Sequence, residues 1–377
     1  MTVAIAGWAW RTPLGVTIGD AVARLFAGER AAIANPLAVG FACTVAAPIV
    51  DAPATPRNAR FLRRMGLFGM AVAKEALVAS GLEASTRFGL FSGVGGLRAH
   101  WDDMMPALAN QRDDGAGAWA RGLRDVHPYW MLRHLSNNVH ALVSAELGLR
   151  GEGATFGGGN ASAQAMAAAA RALQAGAIDA AVVVTYDSLL EPETLVELGA
   201  RHATTQAAVP IAPYDPRAAG YVPGEAAAAV VLVRECAVPL AHVDAFDTAD
   251  GEPGEPAIAT VARVLRRASV VDGAARARPD HDAAERAMLA DVVDAQTPLT
   301  AITAAMGQLG AATSMVQAIA LAECLRRGML PPIAGLATPA SGPLVPVTRA
   351  TPTTARSALA LATSAPGLVG AIHVEVR

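Results

Sequence analysis

The chain has 377 residues, of which 53% are hydrophobic and 17% charged, with a net charge of −3. That balance excludes a disordered chain, which needs low hydrophobicity and high net charge, and a nucleic-acid binder, which carries a basic excess. Only 5% of residues are aromatic, and 35 are glycine, a composition that suits helices packed closely on sheets.

Val3 to Trp10 reads as a strand, Thr12-Pro-Leu-Gly15 as a turn, and Ile18 to Leu25 as a helix by its apolar spacing. A helix is expected over Phe61 to Ala79, stopped by Gly81, and a strand over Arg87 to Phe91 ahead of Gly93-Val-Gly-Gly96. Trp101 to Trp130 is polar and irregular, with Met104, Met105, Tyr129 and Trp130 scattered through it, and reads as an insertion over a site or an interface. Leu132 to Leu147 predicts a helix, Thr155-Phe156 a short strand, Ala161 to Gln174 a helix of small residues, and Ala180 to Thr185 a buried strand. After the turn-rich Ala212 to Gly224 comes a strand, Ala226 to Val233, and then an acidic Pro/Gly linker candidate, Asp250 to Pro256. Beyond it the pattern predicts helix Ile258 to Ala268, strand Ser269 to Val271, helix Asp282 to Asp291, strand Leu299 to Thr303 and helix Ala311 to Arg327. Strands Ala358 to Thr363 and Gly370 to Val376 close the chain.

Strands alternating with helices argue for βαβ units. Phe156-Gly-Gly-Gly-Asn-Ala-Ser162 echoes Met306-Gly-Gln-Leu-Gly-Ala-Ala312, each leading into a small-residue helix, as a duplicated α/β protein would. The expected division is 1–240 and 241–377. No stretch reads as a leader or a span: Arg11 interrupts the apolar start, and Ala226 to Val233 is far short of the roughly 18 residues of a membrane helix. A cytoplasmic protein without membrane or nucleic-acid partners is expected. Cys43, Cys236 and Cys324 are distant and in no metal-ligand spacing, so neither disulfide nor metal is expected, and no cofactor.

Five ordered phrases carry a resemblance. They are Ala4 to Gly15 with its Thr-Pro-Leu-Gly turn, Leu147-Gly-Leu-Arg-Gly151, Pro213-Tyr-Asp to Gly224-Glu225, Pro279-Asp-His-Asp-Ala-Ala-Glu285, and Met306 to Ala312 with Leu325-Arg-Arg-Gly-Met-Leu-Pro-Pro332. End to end, the chain resembles a β-ketoacyl synthase of the thiolase-like superfamily. The resemblance implies an α/β fold, five-layered αβαβα, made of two similar halves. It also implies a cysteine at a helix N-terminus that takes the acyl chain as a thioester, with two histidines that promote decarboxylation.

None of the three groups stands where the resemblance puts it. Counting from Gly151 places the cysteine position on Asn160, counting back from Gly176 places it on Gly159, and neither is a nucleophile. The first histidine position holds Ala274 and the second holds Gln308; the lysine usually found upstream is absent, because Lys74 is the one lysine of the chain. The emptied triad resembles the chain-length factor, the ketosynthase β-subunit, whose Gly-Gly-Gln-Ala is similar to Gly158-Gly-Asn-Ala161. That resemblance implies a heterodimer with an active ketosynthase, and an acyl carrier protein as a further partner. Thr155 and Phe156 are then expected at the dimer edge, and Met104, Met105, Tyr129 and Trp130 along the acyl tunnel. The alternatives are a divergent acyltransferase or condensing enzyme using other residues, and a self-associating scaffold or acyl-carrier-protein binding module without chain-length control.

Plainer readings stand beside the remaining motifs. Ser162 follows a glycine turn but not in a Gly-x-Ser-x-Gly frame, and a serine in a first helical turn is usually a hydrogen-bonder. Asp280-His-Asp282 reads as a helix start before it reads as a metal site. His134 and His140 read as satisfied or surface histidines, Cys324 as core, and Gly93 to Gly96 as a strand-end turn, since no Lys-Ser/Thr follows it.

Overall fold

The computed structural model of the protein describes residues 2–37, 43–54, 57, 59–95, 101–109, 124–247, 268–363 and 369–377. The expected linker and the expected helix Ile258 to Ala268 lie outside these, save Ala268 itself. Strand β1 (Val3–Arg11) leads through the Thr12 to Gly15 turn into helix α1 (Ile18–Phe26), whose N-cap Thr17 accepts the N–H of Asp20. Helix α2 (Arg64–Ser80) ends at left-handed Gly81, and strand β2 (Phe88–Val94) follows.

The segment expected to be irregular opens instead with a helix, α3 (Trp101–Ala109). Pro106 inside it hides the helical signal from the sequence, while buried Asp103 and Ala107, four apart, give it an inward face. The single helix expected over Leu132 to Leu147 is two, α4 (Trp130–His134) and α5 (Asn138–Leu147). The break is held by Asn138, whose amide donates to the carbonyls of Leu132 and Phe61.

Next come β3 (Gly153–Gly157), α6 (Ala161–Gln174), β4 (Ala180–Ser188), α7 (Pro192–Ala200) and β5 (Glu225–Val233). The later elements are β6 (Ala241–Asp247), β7 (Val271–Asp272), α8 (Pro279–Ala290), β8 (Pro298–Thr300), α9 (Thr313–Arg326), β9 (Ser357–Thr363) and β10 (Val369–Glu375). Helix α7 and strand β6 have no counterpart among the sequence-based expectations.

The sheet order shows the duplication. The first five strands run β3-β2-β4-β5-β1 and the second five β8-β7-β9-β10-β6, so each strand of the first half corresponds to the one five further on. Pairing senses match as well: β2 is parallel to β3 and β4, as β7 is to β8 and β9, while β4·β5·β1 and β9·β10·β6 are antiparallel. Three residue pairs, from Val3 with Val243 to Ile5 with Ala241, join β1 to β6.

Helices α6 and α9 lie between the halves, α6 on β2, β3, β4 and β6, α9 on β9, β10 and β5. Alanines such as Ala163, Ala169, Ala318 and Ala322, fully buried, allow two helices to fit between two sheets. Helix α2 covers β1, β4 and β5 from outside, and Leu289 of α8 packs with Val271, Leu299 and Leu359 on the opposite outer face. The layers are therefore α, β, α, β, α.

Candidate functional site

The duplication brings the two glycine turns together at the N-terminal ends of α6 and α9. Ser162 donates its hydroxyl to the carbonyl of Ala311 across the two halves. Its oxygen is thus occupied in the core, with no exposure at all, and it is not placed as a nucleophile.

Gly159, Ala274 and Gln308 line one cavity of about 280 Å³, so the three positions singled out from the sequence meet in space. Asn160, adjacent to Gly159, is buried at the N-cap of α6, and its carbonyl accepts the N–H groups of Ala163 and Gln164. Gly158, at φ 115°, makes the turn that admits it.

Gln308 donates its amide to the carbonyls of Ala274 (2.7 Å) and Ala275 (3.0 Å). Its own backbone is held by Val222 and Gly224 at 2.8 Å each. The Gln308 side chain is therefore a brace for residues 274–275, with its amide N–H groups spent on their carbonyls. Behind the same loop, Glu285 accepts the N–H of Ala274 at 2.5 Å and of Ala275 at 3.2 Å, and the hydroxyl of Tyr214 at 3.1 Å. Burial raises the Glu285 carboxyl to about 7, against the pull of those N–H groups. Asp282 accepts the N–H of Tyr214 at 2.9 Å, and burial raises it to about 6. The Pro-x-x-Asp-x-x-Glu phrase is thus scaffolding for residues 274–275; Asp280 and His281 stay exposed on the helix start.

Asp187, at the end of β4, also borders the cavity and escaped sequence reasoning. Its carboxylate accepts from the N–H groups of Ser188 and Ala311 at 2.9 Å, and a Cβ on Gly95 or Gly310 would overlap it. The signal available was its position at the C-terminal end of a strand in a doubly wound sheet, where ligands bind. Arg276 and Tyr221, on the wall as well, were likewise missed. The glycines of Gly93 to Gly95 serve close approach: a Cβ on Gly93 would lie 2.8 Å from the backbone of Ala161.

No cysteine lines this cavity. Cys43 and Cys324 are buried, and burial pushes both thiols up, away from the thiolate. His140 meets Ser92 Oγ at 3.1 Å, and burial lowers its proton affinity. His134 pairs with Asp103 at 3.0 Å, beside Arg63, which also contacts Asp103. Among the described residues no three His, Cys, Asp or Glu side chains cluster as metal ligands, and no helix is long and apolar enough to cross a membrane.

Met104, Met105, Tyr129 and Trp130 are not on the cavity wall. Met105 is exposed on α3, Met104 half-buried, Tyr129 packs edge-on against Phe61 at 5.1 Å, and Trp130 against His134 at 5.6 Å. Thr155 and Phe156 lie on β3, the terminal strand of the sheet, which bonds β2 along one edge and has no strand on the other among the described residues.

The β-ketoacyl synthase N-terminal domain model matches residues 1–237. A β-ketoacyl synthase from Burkholderia phymatum STM815 superposes with a TM-score of 0.85 at 20% identity, covering 100% of both chains. The structure titled the ishigamide ketosynthase/chain length factor does so at 0.83 and 19%, covering 100% of this chain and 99% of that one. A search of curated proteins finds no match. With a family model spanning well over half of its length and a duplicated αβαβα fold that superposes throughout, the chain belongs to the β-ketoacyl synthase family.

Proposed function

We propose that this chain is a non-catalytic subunit, similar to a chain-length factor, that pairs with an active β-ketoacyl synthase and works with its acyl carrier protein in type II polyketide, polyene or fatty-acid-like synthesis. The observation that carries this reading is the cavity at the head of α6: Gly159, Ala274 and Gln308 meet there, without thiol or imidazole among them, and the one amide is spent on backbone carbonyls. Without a thiolate no acyl-enzyme forms, and the loss of a positioned acid-base or oxyanion group costs on the order of 10²-fold or more besides. The rival reading, a condensing enzyme with replacement residues, is opposed by the burial of Ser162, Cys43 and Cys324. The purified chain, incubated with acyl and malonyl thioesters, is expected to show no added mass and no condensation product. A stable acyl adduct on Ser162 or a cysteine in the intact mass spectrum would sink the reading.

Two surfaces support a partner. Among the described residues no strand pairs with the outer edge of β3, and such an edge is a hazard unless another strand or chain covers it. Trp101, Met105, Tyr129, Met131, Leu132 and Leu135 are all exposed large apolar side chains on α3, α4 and their flanks. Co-expression with the cognate ketosynthase is expected to give a soluble heterodimer, and Phe156→Arg to lower its yield at least tenfold in size-exclusion chromatography. Persistent monomer in the presence of that partner would count against pairing. Within the heterodimer, truncating Met104, Met105, Tyr129 or Trp130 to Ala is expected to lengthen products in at least one case; unchanged length in all four would remove this segment from chain-length control.

A further inference from the structure

The cavity at the head of α6 carries a guanidinium that makes no ion pair among the described residues. Arg276 is half-buried on its wall, and the guanidinium hydrogen-bonds Thr363 Oγ1 at 3.3 Å and sits 5.8 Å from the Tyr221 ring centre. Among the described residues no carboxylate pairs with it. A charge brought into a partly buried site costs desolvation unless an anion or hydrogen-bond partners meet it.

That placement is enforced. Ala275 and Ala277, on either side of Arg276, have φ of 49° and 53°, left-handed conformations that alanine rarely adopts. Glu285 grips the N–H groups of residues 274 and 275, Gln308 grips their carbonyls, and Gly220 donates its N–H to the carbonyl of Ala277 at 2.7 Å. Backbone strain of this kind persists only where the surroundings over-determine it, and here the result is a fixed cation at a cavity.

The other charges at the cavity are already engaged. Arg201 pairs with Glu197 at 2.8 Å, and the Asp187 carboxylate accepts from two backbone N–H groups. Arg276 thus makes no ion pair among the described residues on a wall that also carries the engaged Asp187 carboxylate, and that carboxylate disfavours a ligand with more than one negative charge. Leu189 and Ala362 give the cavity an apolar side. At about 280 Å³ it lies at the small end of ligand sites, which run from roughly 300 to 1,000 Å³.

We infer that this cavity binds a short-chain carboxylate, the acid group on the planar fork of Arg276 and the alkyl tail toward Leu189 and Ala362. A guanidinium matches a carboxylate bidentately, which an ammonium does not. The inference concerns binding by this chain alone and holds whether or not it pairs with a ketosynthase.

Saturation-transfer NMR and calorimetry on the full chain with butyrate, butyramide and inorganic phosphate test it. Butyrate is expected to bind saturably, with butyramide and phosphate weaker by about tenfold or more, the factor a charged hydrogen bond supports. Arg276→Gln is expected to weaken butyrate by a similar factor, and Arg276→Lys by less. No saturable butyrate binding, equal binding of butyramide or phosphate, or unchanged affinity in Arg276→Gln would each overturn the inference. Should thermal melting show that Arg276→Gln does not fold, the butyrate and butyramide comparison on the native chain decides alone.

Discussion

Replacing Glu285 by Ala is expected to destabilise the protein by about 3 kcal/mol or more, because three buried donors lose one acceptor. These are the N–H groups of Ala274 and Ala275 and the hydroxyl of fully buried Tyr214. The left-handed Ala275 would then lack half of what holds it. The same carboxyl sets a pH dependence. In the unfolded chain it ionises near 4.5, in the fold burial delays ionisation to about 7, and Asp272 and Asp282 behave alike, moving from 3.8 to about 6. Between these limits the folded state holds protons that the unfolded chain has lost. Their contribution is complete below about pH 4 and is lost as pH rises toward 7, with Glu285 alone amounting to on the order of 3 kcal/mol. Scanning calorimetry is expected to show a higher Tm at pH 5 than at pH 7.5, and Glu285→Gln to flatten the slope between about pH 4.5 and 7. A native Tm that climbs over that interval, with a slope indifferent to Glu285→Gln, would refute this account.

Gly7→Ala is expected to cost about 2–3 kcal/mol, far more than a surface glycine change. Gly7 lies in β1 beside a register shift between Ile5 and Gly7, under the end of α2. A Cβ there would lie 2.8 Å from the Cα of Ser80 and press on the carbonyl of Ala76. These are backbone atoms of a helix packed along β1, β4 and β5, so relief requires moving α2 as a body. Gly81→Ala, at φ 67° with nothing within 4 Å of its added Cβ, is the control. It should cost only the left-handed penalty of roughly 1–2 kcal/mol. Urea melts of the two variants check the contrast, and equal losses would show that the approach of α2 to β1 is not the source.

Much of the fold was legible because its signals are local. Helix α6 occupies the span expected for it, since an alanine run between a glycine turn and Gly176 admits little else. Strands β9 and β10 fall within one residue of expectation, being short apolar runs bounded by polar turns. The misreadings arise where local and tertiary preferences diverge. Pro106 argues against a helix in isolation, yet α3 forms with Asp103 and Ala107 buried, and a continuous helical pattern from Leu132 to Leu147 is broken by the contacts of Asn138.

The candidate site divides along the same line. The resemblance to the β-ketoacyl synthase family, carried onto counted positions, marked Gly159, Asn160, Ala274 and Gln308, and the absence of thiol and imidazole there is read directly from the sequence. That the first, third and fourth of these border one cavity, that Gln308 braces residues 274–275 from 33 and 34 positions away, and that Asp187, Tyr221 and Arg276 join them depends on contacts between residues distant in the chain. The hydroxyl of Ser162 is the sharpest instance: its partner, the carbonyl of Ala311, is 149 residues away, so only the packing of one half on the other could reveal that this serine is a strut. Periodicity and turn chemistry act within a few residues and so determine elements, while the ordered motif phrases carry the resemblance to the family. Which side chains share a cavity, and which are spent on backbone groups, is decided by the duplicated sheets closing on α6 and α9.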